Sequence, residues 1–240
     1  MSDLPLRKAI ISTALAMNAL GINRGKSGNV SARWKDGFLI TPSGLPYQET
    51  RPADIVFIDR KSKPTGKRTA SSEWRFHHDI YRTRKDARAV VHTHSSFATT
   101  LACLGMDVPA FHYMIGVTGG KSLRVSDYAE FGTQELSDTM LKAMEGRTAC
   151  LLANHGQICF GPTLAKTLWL AVEIESLCQM YWAACLAGKP VILNEAQMVS
   201  VLKRFKSYGK QPQDLAKGDA LSVYAPRLLP PIKAKKKGKS

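Results

Sequence analysis

Residues 89–94 read Ala-Val-Val-His-Thr-His. The apolar start is the kind of short run that forms a buried strand, and strand side chains alternate between faces with period two. His92 and His94 therefore project from one side, where two imidazoles can grip one transition-metal ion. A His-x-His pair is by itself a weak sign of a metal. Its weight comes from the residues that can gather around it.

The rest of the chain supplies a frame for such a strand. Of its 240 residues, 44% are hydrophobic, enough for one large globular core. No apolar stretch approaches the ~20 residues of a membrane helix. The N-terminal residues lack the apolar core of a secretory signal. Five scattered cysteines (Cys103, Cys150, Cys159, Cys178 and Cys185) read as reduced thiols, so a cytoplasmic location is expected. The net charge is +15, and it stays at +10 without the five lysines of the last eight residues. That field suits a phosphorylated substrate. No helix-turn-helix, RNP-type or zinc-finger pattern accompanies it, which argues against nucleic acid as the main partner.

Outward from the histidines, periodicity and punctuation predict a helix over 5–20, strands at 29–33 and 38–41, and a strand at 55–58. The basic, Pro/Gly-marked stretch 60–68 reads as a surface loop. Ser71 or Ser72 can cap a helix running to about Arg84. Helices follow at 96–104 and 133–144, with a loop expected at 109–120. Strands at 149–153 and 157–160 flank a turn at Asn154-His155-Gly156. Thr163 caps the longest helix, which Gly188-Lys189-Pro190 ends, and Asn194 caps a last one to about Lys206. Strands interleaved with helices, without a repeat or dividing linker, point to one α/β domain.

Three further groups of residues could join the imidazole pair. His155 stands at a strand end, where Gly156 would let the backbone turn sharply; three histidines leave a tetrahedral ion one open position. Taken alone, a plain hydrogen-bonded turn histidine is the simpler account. Glu73 stands at the first turn of a helix, either as a dipole-favoured carboxylate or as an acid/base group or fourth ligand. His77 follows one turn later, a spacing open to a second metal site or a supporting role behind the first, although with His78 it reads as a surface or packing residue. Gly25-Lys26-Ser27-Gly28-Asn29, Thr41-Pro42-Ser43-Gly44 and the Ser71-Ser72 helix start offer donors for an anion. None matches the P-loop or dinucleotide fingerprint.

The motifs now in view are Gly-Asn-Val-Ser (28–31), Ile-Thr-Pro-Ser-Gly (40–44), Ser-Ser-Glu-Trp-Arg-Phe-His (71–77) and Ala-Val-Val-His-Thr-His (89–94). Pro-Ala-Phe-His-Tyr-Met (109–114), Phe-Gly-Thr (131–133), Asn-His-Gly (154–156) and Phe-Lys-Ser-Tyr-Gly (205–209) complete the set. In order and spacing, from about residue 5 to 210, the chain resembles the class II aldolase/adducin family. The resemblance implies a three-layer α/β domain over 1–210, its central sheet mixed or largely antiparallel. Residues 211–240 would be a flexible Pro/Lys-rich extension. One divalent ion, Zn2+ before Co2+, Mn2+ or Fe2+, would be held by His92, His94, His155 and Glu73. Glu73 would also shuttle protons. Asn29, Ser43, Gly44, Ser71 and Ser72 would bind a phosphate, with Lys26, Ser27 and Gly28 in the adjoining loop. Tyr113 and Tyr208 match catalytic tyrosines, and Phe131 a residue lining a neighbouring subunit's site in a homotetramer. Lys26 departs from the family's usual threonine.

The activity so implied is reversible cleavage of a deoxyketose 1-phosphate to dihydroxyacetone phosphate and a small aldehyde, through an enediolate. L-Fuculose 1-phosphate and a 5-deoxy- or 5-methylthio-pentulose 1-phosphate are the substrates in view. A pentulose-phosphate 4-epimerase is the first alternative, but Phe111-His112-Tyr113-Met114 stands where such relatives carry an acidic residue. A methylthioribulose 1-phosphate dehydratase is the second. An adducin-like scaffold is the third, set against the full ligand set.

Overall fold

The computed structural model describes residues 2–205. In chain order these form α1 (Leu4–Ala19), β1 (Asn29–Trp34), β2 (Gly37–Ile40), β3 (Val56–Asp59), β4 (Pro64–Thr65) and α2 (Trp74–Thr83). Then come β5 (Ala89–Thr93), α3 (Ser96–Cys103), α4 (Gln134–Ala143), β6 (Ala149–Leu152), β7 (Gly156–Gly161), α5 (Leu164–Ala187) and α6 (Glu195–Phe205). The strands make one sheet in the order β4-β3-β2-β1-β5-β7-β6. Every neighbouring pair is antiparallel, which resolves the expectation of a mixed or largely antiparallel sheet.

Alternation along β5 sorts the two cores. Val91 joins α1, α3 and α5 through Ile10, Met17, Leu101 and Ile174. Val90 faces the other way, onto α2 and α4, through Phe76, Ile80 and Met140. Both faces of the sheet are thus covered, giving three layers, and all five residues of β5 are buried. His92 lies on the Val90 face, with its ring 5.3 Å from that of Phe76 on α2.

The pairing of β1 with β5 sets Asn29 directly opposite His92 and Ser31 opposite Val90. Cross-strand partners share a face, so Asn29 and Ser31 also look onto α2. The expected cap Thr163 accepts from the Lys166 backbone N–H, and Thr133, expected as the first residue of a helix, caps α4 by accepting from the Leu136 N–H. Asn194 and Gln197 cap α6 reciprocally, at 2.8 and 2.9 Å.

Four local expectations need correction. Stretch 60–68 is not all loop: Pro64–Thr65 adds a short exposed edge strand. Within 109–120 a 3-10 helix spans Tyr113–Thr118. Neither Ser71 nor Ser72 is the cap of α2. Glu73 holds that position in a non-helical conformation, and the Ser71 hydroxyl instead accepts from the Glu73 N–H at 3.3 Å. In the turn before β7 the left-handed residue is Asn154 (φ 55°), a conformation asparagine tolerates, rather than Gly156. Gly156 is needed for space: a Cβ there would lie 2.5 Å from the Thr93 carbonyl oxygen and 3.0 Å from the His94 ring.

Candidate metal centre

Three elements meet at the sheet end where β5 stops. β5 delivers His92 and, one residue beyond its last hydrogen-bonded position, His94. The β6–β7 turn delivers His155, and the start of α2 delivers Glu73. The three imidazole centroids stand 4.8, 4.8 and 4.9 Å apart, with planes inclined by 72–76°. One candidate ligand atom from each of the four residues lies within 4.8 Å of all the others.

The hydrogen bonds around this cluster turn lone pairs inward. His92 Nδ1 donates to the Gln157 carbonyl at 2.8 Å. Its Nε2 is therefore the nitrogen left to face the cluster. That nitrogen faces His94 Nε2 at 2.9 Å and Glu73 Oε2 at 3.2 Å. Glu73 Oε1 lies 2.9 Å from His155 Nε2, yet it is buried and makes no well-formed hydrogen bond. Burial alone would raise the Glu73 carboxyl, but His92 and His155 outweigh it and hold it well below the usual carboxylate range. Burial, reinforced by His92 and His155, holds the His94 imidazole down at about 3. A neutral imidazole is the ligand form. Three converging imidazole nitrogens and a buried carboxylate oxygen without a well-formed hydrogen bond fit a divalent cation.

Above the cluster opens a cleft of about 310 Å³, lined by Ser27, Ser72, Glu73, His94, Tyr128, Ala129, Phe131, Asn154 and His155. The predicted anion-binding stretches adjoin it. Ser43 N–H donates to the Thr69 carbonyl at 2.9 Å and Ser71 N–H to the Thr41 carbonyl at 3.1 Å. The Lys26 ammonium reaches the Gly44 carbonyl at 2.8 Å, tying the first stretch to the second. Gly28 is pinned beneath by the buried Tyr47 hydroxyl on its carbonyl, and a Cβ on it would come within 2.6 Å of the His92 carbonyl oxygen.

Of the other predicted residues, Phe131 lines this chain's own cleft. Tyr113 does not line it; that side chain is 47% exposed and stacks on Phe205 of α6 at 6.4 Å. Tyr208 lies outside the described residues. Asn29 is buried and donates from Nδ2 to Glu73 Oε2 at 2.9 Å. Sequence reasoning missed Tyr128 and Asn154 in the cleft. It read His77 as surface or packing, with a supporting role left open by its spacing of one helical turn from Glu73; His77 is fully buried and hydrogen-bonded to Asn29.

A cluster of three histidines and a glutamate that could hold one metal ion, at one end of an antiparallel, helix-covered sheet, defines the class of protein to which fold and site point. The sequence profile of the class II aldolase and adducin N-terminal domain matches residues 8–182. The chain belongs to the class II aldolase and adducin family. It is similar to the 5-methylthioribulose-1-phosphate/5-deoxyribulose-1-phosphate aldolase of Rhodospirillum rubrum, with 52% identity over 88% of this chain and 96% of that one. The L-fuculose phosphate aldolase of Escherichia coli is 45% identical over 85% of this chain and 95% of that one. Among solved structures, an L-fuculose 1-phosphate aldolase superposes with TM-score 0.82 at 38% identity, covering 86% of this chain and 97% of that one.

Proposed function

We propose that this chain is a metal-dependent aldolase that cleaves a deoxyketose 1-phosphate to dihydroxyacetone phosphate and a small aldehyde. The observation that carries the reading is the convergence of Glu73, His92, His94 and His155 beneath a cleft with hydroxyl donors on its wall. When bound, the divalent ion supplies Lewis acidity that polarises a carbonyl and stabilises charge as the C3–C4 bond breaks. We assign His92, His94, His155 and Glu73 to hold it, and zinc as the ion, because three imidazoles and a carboxylate suit it.

The remaining steps belong to side chains of the protein. Ser27, Ser71, Ser72 and the Ser43-Gly44 turn receive the phosphate, so the sugar enters in one orientation. Glu73 carries the proton on Oε1 while Asn29 holds Oε2. Tyr113 acts at the aldehyde end from a neighbouring copy, a reading supported by its exposure and by its absence from its own chain's cleft. A homotetramer with shared sites accommodates this. Ala129, Phe131 and the Tyr128 ring suit an apolar methyl or methylthio terminus. A 5-deoxy- or 5-methylthio-pentulose 1-phosphate and L-fuculose 1-phosphate all end so. The catalytic unit is assigned to 1–210, in the cytoplasm, which the five free cysteines suit. No helix among the described residues is long and apolar enough to cross a membrane.

A product assay tests the reading. Metal-loaded protein is incubated with a panel of these ketose 1-phosphates, and dihydroxyacetone phosphate and aldehyde are measured. Cleavage that EDTA abolishes is expected. Failure to cleave every member, or trapping of a substrate adduct by borohydride, overturns it, since no lysine Schiff base belongs to this chemistry.

A further inference from the structure

Behind Glu73 runs a buried file of polar side chains, of which the proposed reaction uses only Asn29. On α2, Glu73, His77 and Tyr81 recur every four residues, so they share one face. On β1, Asn29 and Ser31 recur every two and look onto that face. The two rows interdigitate. Asn29 Nδ2 lies 2.9 Å from Glu73 Oε2. Asn29 Oδ1 meets His77 Nε2. His77 Nδ1 lies 2.6 Å from Ser31 Oγ, and Ser31 Oγ lies 2.8 Å from the Tyr81 hydroxyl. All four residues behind Glu73 are buried.

The direction of every bond follows from chemistry. A carboxylate can only accept, so the Asn29 amide group facing it is the NH2. Its carbonyl oxygen therefore faces His77 and accepts, which puts the ring proton on Nε2. Nδ1 is then the bare nitrogen and accepts from the Ser31 hydroxyl, which in turn accepts from Tyr81. Burial holds His77 down at about 3, so the ring stays neutral and the pattern has one solution. At the far end the Arg33 guanidinium lies 4.8 Å from the Tyr81 ring centroid and donates to the Tyr81 carbonyl at 2.8 Å.

We infer that His77 is a positioning residue for the metal centre. Through Asn29 it engages Oε2 of Glu73 and leaves Oε1 as the free oxygen, with Ser31 and Tyr81 fixing the His77 tautomer. Partners that orient a ligand from behind are typically worth roughly 10–100-fold in metal affinity or activity. The inference rests on the metal-centre part of the proposed function and not on the substrate. If the wild type cleaves none of the sugar panel, binding of Co2+ alone still decides it.

The experiment uses the full-length chain. Co2+ affinity is read from its visible absorption, and the His77 tautomer from 15N chemical shifts of the metal-free protein. The Nε2-protonated tautomer is expected. His77→Phe should weaken Co2+ binding roughly tenfold or more, and His77→Gln, which keeps a donor toward Asn29, should recover most of it. Ser137→Ala is the control. The Ser137 hydroxyl bonds Asp79 on α2 at 2.7 Å, so its loss should lower the melting temperature and leave Co2+ affinity unchanged. Should His77→Phe not fold, Ser31→Ala takes its place, with a smaller fall in affinity and a mixed tautomer expected. An Nδ1-protonated ring, unchanged affinity in the folded variant, or an equal loss in Ser137→Ala would overturn the inference.

Discussion

The floor and the rim of the cleft are built on opposite terms. On the floor, Glu73 and His92 are buried, and each is held by a partner from another element: Asn29 for Glu73, the Gln157 carbonyl for His92. On the rim, Tyr128 and Phe131 are each 65% exposed. The floor is finished within one chain. The rim presents aromatic faces to space, and the tyrosine assigned to the aldehyde end stands elsewhere. On the proposed reading, such a division lets the metal site be laid down by folding, while selection of the aldehyde half would wait for a neighbouring copy. Pocket discrimination of one small apolar group is modest in any case.

The division can be broken from the floor upward. His155→Ala removes one of three imidazoles; bound metal and dihydroxyacetone phosphate release should both be lost, as elemental analysis and the product assay would read. Glu73→Gln keeps the shape and removes the charge. It should cost roughly 10²–10⁴ in kcat, the range for a lost acid/base group. Gly156→Ala drives a methyl group into the Thr93 carbonyl and the His94 ring. Overpacking of this kind costs about 1–3 kcal/mol, visible in thermal melts, and metal content should fall with it.

On the rim the effects shrink. Tyr128→Ala should leave stability within about 0.5 kcal/mol, as befits an exposed side chain. It should raise KM for apolar-ended substrates by roughly tenfold, and a change in metal content would contradict the separation of floor from rim. Lys26→Ala loosens the tie to Gly44. An exposed charged contact of this kind is worth about 0.2–1 kcal/mol, so KM for the phosphorylated substrate should rise by no more than about fivefold.

Much of the floor was legible because period-two alternation is a strong local rule. Ala89–Thr93 is the expected strand, and His92 within it and His94 just past its end reach one point. His155 was legible as a turn residue, although the glycine beside it serves space rather than a sharp turn. What escaped depends on which strands become neighbours. Nothing local says that β1 lies beside β5 with Asn29 opposite His92, so an asparagine read as a phosphate donor is also a carboxylate's partner. The options for His77 stayed open for the same reason: choosing among them needs Asn29 and Ser31 across from it. The short strand Pro64–Thr65 has two exposed residues and no hydrophobic pattern, and only pairing with β3 reveals it. The start of α2 shifted because the Ser71 hydroxyl engages Glu73 rather than capping a later turn.

The Asn29–His92 pairing also works as a gauge. A slip of β1 by one residue against β5 would exchange its two faces. Val30 would then meet Glu73, and Asn29 and Ser31 would enter the oily layer against α1 and α5. Such a chain could keep its helices and much of its sheet and still be unable to assemble the centre. Metal uptake by freshly refolded protein would therefore report alignment of the two strands, separating correctly threaded molecules from compact misthreaded ones that circular dichroism alone would count together.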